Sequence, residues 1–167
     1  MVQPQPQNEP TCENRIDASM SSHMETIQAL WERHKTDPEV YVYQSTPTGD
    51  VEIGRWNDYG LSFTYVDAED AFDGQGYWKY LITWGGPEIQ LRFYADPTAN
   101  FRLRRSQFFL ADWFDSACRE IPGQWSELIE EIWQDWVDCG LPQSRFECED
   151  PEVIAFLKEA DRIAARF

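Results

Sequence analysis

The sequence predicts an α+β domain: an antiparallel sheet of four to five strands, arranged as a meander, with an N-terminal helix and two C-terminal helices packed on it. Three observations predict it. Apolar residues recur with a 3.6-residue period near both ends of the chain. Between them, from about residue 40 to residue 94, apolar and polar residues alternate in short β-type runs. Glycine, proline and aspartate clusters separate those runs.

In chain order, residues 1–14, MVQPQPQNEPTCEN, are Pro/Gln-rich and lack an apolar stripe, which predicts a disordered tail ahead of one domain over 15–167. Ser22 and Glu25 match a capping box. Ile27, Leu30, Trp31 and His34 then share one face, predicting a first helix of about three turns that stops before Pro38. His34 reads as a partly buried packing residue. Val40–Gln44 and Val51–Ile53 flank Thr46-Pro-Thr-Gly-Asp50, a hairpin signal with a five-residue loop. Leu61–Val66 alternates as a third strand, and the acid-rich segment Asp67–Gly74 follows it.

Tyr77–Trp84 and Ile89–Tyr94 carry the clearest strand patterns, joined by Gly85-Gly86-Pro87. Asp96–Asn100 reads as a turn. Phe101–Ala117 fits two periods: a strand to about Arg105, then a helical stripe of Phe109, Leu110, Trp113, Phe114, Ala117 and Cys118. Gln124–Gly140, QWSELIEEIWQDWVDCG, is the clearest amphipathic helix. Trp125, Leu128, Ile129, Ile132, Trp133, Trp136 and Val137 fall on one side of it, and Gly140 stands at its C-cap. Asp150 and Pro151 open a final helical pattern with Val153, Phe156, Ala160 and Phe167 on one stripe.

Composition narrows the function classes. Aromatic residues make up 15 % of the chain, eight of them Trp, which argues for a packed core. No apolar run approaches the roughly 18 residues of a membrane span. Met1-Val-Gln-Pro-Gln-Pro has neither the basic nor the apolar region of a signal peptide, so a cytoplasmic protein is expected, with no membrane partner. Cys12, Cys118, Cys139 and Cys148 form no CxxC pair, and free thiols are expected. His23 and His34 both lie on the first helix, so no metal site is assigned, and no cofactor motif is present. Nucleophile elbows, HExxH, P-loops and GxGxxG are missing, and the chain reads as a non-enzyme.

Charge is the most specific signal. The formal net charge is −16. Such a chain repels nucleic acid and anionic membranes and is drawn to basic surfaces. From Ser106 to Asp161, fourteen acids face three bases. On the Gln124–Gly140 helix, Glu127, Glu131 and Asp138 lie along one line, flanked by Glu130 and Asp135, with no Lys or Arg among them. Helical neighbours three or four apart are about 5–6 Å apart at Cβ, close to the spacing of phosphates along a strand. Ordered carboxylates at that spacing can occupy a groove built for a nucleic-acid backbone. Asp112, Asp115 and the loop acids Asp67, Glu69, Asp70 and Asp73 are candidates for the rim of such a surface. Arg102, Arg104 and Arg105 read as intramolecular partners for nearby carboxylates. The expected partner is thus the basic surface of a nucleic-acid-binding protein, with no direct contact to nucleic acid. The alternative is an adaptor or immunity-type binding module centred on exposed aromatics.

YWKYLITWGGPEIQLRFY, followed by FFLADWFDSA, resembles a pattern found in small acidic proteins of phages and plasmids. The matching positions run from Tyr77 to Ala117, and they carry no functional residue across. The resemblance implies a mobile-element accessory protein, a class that includes nucleic-acid mimics of the anti-CRISPR and anti-restriction type.

Overall fold

A computed structural model of the chain describes residues 10–146 and residue 159. The final helix expected from Asp150 lies outside the described residues. Helix α1 spans Cys12–His34, followed by the hairpin β1 (Val42–Thr46) and β2 (Gly49–Gly54) and the short helix α2 (Trp56–Tyr59). Five strands follow: β3 (Ser62–Val66), β4 (Tyr77–Thr83), β5 (Glu88–Asp96), β6 (Arg102–Asp112) and β7 (Asp115–Glu120). Helices α3 (Ser126–Asp138) and α4 (Leu141–Phe146) close the described chain. Strands β3 to β7 form one sheet in sequence order, every pair antiparallel, which is the expected α+β meander.

Helix α1 starts ten residues before the Ser22 capping box, so Cys12–Asn14 belong to its first turn and not to a tail. The Ser22–Glu25 pattern lies inside the helix. The effective caps are the Thr11 side chain, which accepts from the Asn14 N–H, and the Asp115 carboxylate, which accepts from the Cys12 N–H at 2.5 Å. Asp115 comes from the far end of the chain, so no local rule foresees it. Cys12, Ile16, Met20, Met24, Ile27, Leu30 and Trp31 form the buried stripe of α1.

The helical reading of residues 106–118 is corrected to two strands. Phe108 and Leu110 alternate toward the core, 0 % and 1 % exposed, while Phe109 turns to the other face beneath the Arg92 guanidinium. The 3.6-residue stripe needs Trp113 and Phe114 to be buried, but these are the two turn residues that join β6 to β7. They are 89 % and 102 % exposed.

One face of the sheet holds the core. Trp133 of α3 stacks on Phe93 at 5.2 Å and meets Trp78 edge-on at 5.4 Å. Trp136 packs against Phe63 at 4.7 Å and Tyr80 at 5.2 Å. Helix α3 thus lies over β3–β5, while α1 packs along β6 and β7. All seven residues assigned to the apolar side of α3 and its lead-in are buried. Trp56, brought in by α2, meets Trp31 and Trp136 and links the two helices.

Candidate functional site: the outer face of α3

The packing of α3 decides what its other side presents. With Trp133 and Trp136 buried, Glu127, Glu130, Glu131, Gln134, Asp135 and Asp138 all face outward and are exposed. Glu127, Glu130 and Asp135 make no side-chain hydrogen bond or ion pair within the described residues. Asp138 accepts a neutral hydrogen bond from Gln134 at 2.8 Å. Glu131 differs: it accepts from Trp31 Nε1 at 2.9 Å and from Lys35 Nζ at 3.1 Å. The Trp31 indole and then the Lys35 ammonium hold its carboxyl below the usual carboxylate range.

Between the last turn of α1 and α3 runs a shallow open groove of about 480 Å³. Trp31, His34, Lys35, Glu131, Gln134, Asp135 and Asp138 line it. Trp31 and His34 stack at 5.4 Å, the packing role expected of His34, and the buried His34 Nδ1 has no partner. The cation lining the groove, Lys35, is shared between Glu32 and Glu131. No base stands in the last turn of α3, although Asp135 and Asp138 sit at the negative end of its dipole.

The remaining acids expected at a rim do not gather here. Asp112 is paired with Arg15 at 2.7 Å, and Asp115 caps α1. Arg15 and Lys35 are twenty residues apart on one helix, which is about 30 Å, so Asp112 and Asp115 lie far from Glu131. Asp73 is engaged by Arg105 at 3.0 Å and by the Tyr94 hydroxyl at 3.1 Å. Burial opposes its ionisation, but the Gln75 N–H, Tyr94 and Arg105 outweigh burial and leave its pKa lowered. Asp67, Glu69 and Asp70 are exposed in the loop between β3 and β4.

Several arginines are engaged away from α3. Arg104 pairs with Asp96, and Arg105 with Asp73 and Glu120, as expected, whereas Arg102 of the same cluster is exposed and has no carboxylate partner among the described residues. Arg119 pairs with Glu13 and Asp17, and Arg55 with Glu39 and Asp58. No protein-family model, curated protein or solved structure matches this chain. The functional reading therefore rests on the surface itself. Among the described residues, no helix is long and apolar enough to cross a membrane.

Proposed function

We propose that this protein is a non-catalytic acidic inhibitor that presents α3 as a mimic of a nucleic-acid backbone. Its target is a basic nucleic-acid-binding protein of the class found in CRISPR and restriction complexes. One observation carries the reading: Glu127, Glu130, Asp135 and Asp138 stand exposed on one helix, and among the described residues no lysine or arginine is set against them. A helix face held for solubility gains from mixed signs, since like charges at (i, i+4) repel. Acids at both ends of α3 are instead kept free for cations that come from outside. Buried tryptophans fix the helix, so its carboxylates need little ordering on binding.

The test is a charge reversal of Glu130→Lys, Asp135→Lys and Asp138→Lys together. Wild-type and variant chains are used to capture basic proteins from bacterial lysate at about 50 and 200 mM salt, with duplex DNA as competitor. Wild-type capture of nucleic-acid-binding proteins falls at the higher salt and with excess DNA, and the variant binds at least about tenfold more weakly. Capture that survives both the substitutions and the salt overturns the proposal.

A further inference from the structure

Strand register delivers four large apolar side chains to one end of the sheet. The β4–β5 and β6–β7 turns share that end, because Glu88 pairs with Ala111 and Asp112 with Asp115. A Cβ on Gly86 would lie 3.9 Å from the Asp112 carboxylate, which places the two turns side by side. The Leu61 N–H donates to the Leu81 carbonyl at 2.8 Å, bringing Leu61 to the same end. Leu61, Trp84, Trp113 and Phe114 are 61 %, 41 %, 89 % and 102 % exposed.

Single exposed apolar residues need no explanation, but Trp84, Trp113 and Phe114 on two neighbouring turns do. The backbone adds a second oddity. Trp113 has φ 53°, in the left-handed region, where a two-residue hairpin turn favours Asn, Asp or Gly. A bulky aromatic there is the costlier choice for the turn, a cost that a use for the ring outside the fold would explain.

We propose that this end of the sheet is a binding surface distinct from α3, with Trp113 and Phe114 acting as an aromatic plug. It fits an apolar pocket with a basic rim on a partner protein. Charge selects that occupant. Asp112 and Asp115 flank the two rings but are engaged by Arg15 and by the Cys12 N–H, so the attraction to a basic rim comes from the net charge of the whole chain, −16. A second copy would bring two chains of net charge −16 together, and an anionic membrane would repel both. Exposed Trp and Phe are side chains that supply anchors in protein interfaces.

The experiment places the photo-crosslinker p-benzoylphenylalanine at 114, which keeps an aromatic ring there. The chain is irradiated in bacterial lysate with and without Trp113→Asn, and crosslinked residues are mapped by mass spectrometry. Sedimentation velocity and co-flotation with phosphatidylcholine vesicles are run alongside. The expected result is a crosslink into an apolar pocket flanked by Lys or Arg, reduced about tenfold or more by Trp113→Asn. It persists when Glu130, Asp135 and Asp138 are reversed in charge, so failure of the α3 reading would leave it standing. Trp113→Asn also retains or raises the melting temperature, because Asn tolerates positive φ, which separates lost binding from lost fold. Crosslinks confined to a second copy, vesicle binding through the rings, or the absence of any crosslink overturns the proposal.

Discussion

At the scale of single residues, burial of His23 couples the fold to pH near neutrality. Its Nδ1 lies 2.7 Å from the Tyr59 hydroxyl, and its ring packs against Phe108. Burial lowers its pKa below 6.5, and burial likewise pushes the Tyr59 phenol up to about 12. A depressed histidine stabilises the fold fully above its unfolded value, and that contribution is lost as pH falls from about 6.5 through the folded value. The melting temperature should therefore drop between pH 7 and pH 5, and the drop should be shallower in His23→Gln. Equal slopes in the two proteins would show that other groups control acid stability. Trp133 gives a second residue-level expectation. Its Nε1 donates to the Phe101 carbonyl at 2.7 Å, and Phe101 itself has φ 55°. Trp133→Phe keeps most of the ring contact but leaves that buried carbonyl unpaired. Urea denaturation should show a loss of about 1–3 kcal/mol.

At the scale of elements, α3 is opposed by its own charge. Asp135 and Asp138 face the negative end of the helix dipole, where cations are worth about 0.3–1 kcal/mol each. Asp138→Lys alone should raise stability by several tenths of a kcal/mol while weakening capture of basic partners. A variant that gains stability and keeps full binding would mean that this carboxylate serves neither fold nor function. Helix α3 was fully legible in the sequence because its period is unbroken from Trp125 to Val137 and every apolar position is core. The β6–β7 hairpin was not. Its strands alternate correctly, but Asp112-Trp113-Phe114-Asp115 lacks the glycine or asparagine that announces a tight turn. Two exposed aromatics there imitated helical positions. Helix α1 was half legible: the Ile27–Trp31 stripe showed its C-terminal part, while Cys12, Ile16 and Met20 sit among polar residues and its cap comes from Asp115.

At the scale of the whole molecule, repulsion among like charges works against the compact state. The ion pairs of Arg105 and Arg119 lie on the surface, where salt screens attraction and repulsion alike. With a net charge of −16, screening should help the fold more than it harms it. Raising salt from about 20 to 500 mM should increase the melting temperature, by roughly 2–4 °C per kcal/mol of repulsion removed. A fall in melting temperature would mean that the ion pairs dominate. Stability and partner binding would thus respond to salt in opposite directions.

Periodicity and composition by themselves determined that this chain builds an antiparallel sheet beneath amphipathic helices, that Trp125, Trp133 and Trp136 are core, and that its charge is strongly one-signed. These are local quantities, set by which side chains recur on one face. Which carboxylates remain free, and where Trp113 and Phe114 point, was decided only in three dimensions. Arg15 reaches Asp112, Lys35 reaches Glu131 and Arg105 reaches Asp73 across 97, 96 and 32 residues of chain. Charge neutralisation depends on distance through space, and one-dimensional spacing does not encode it.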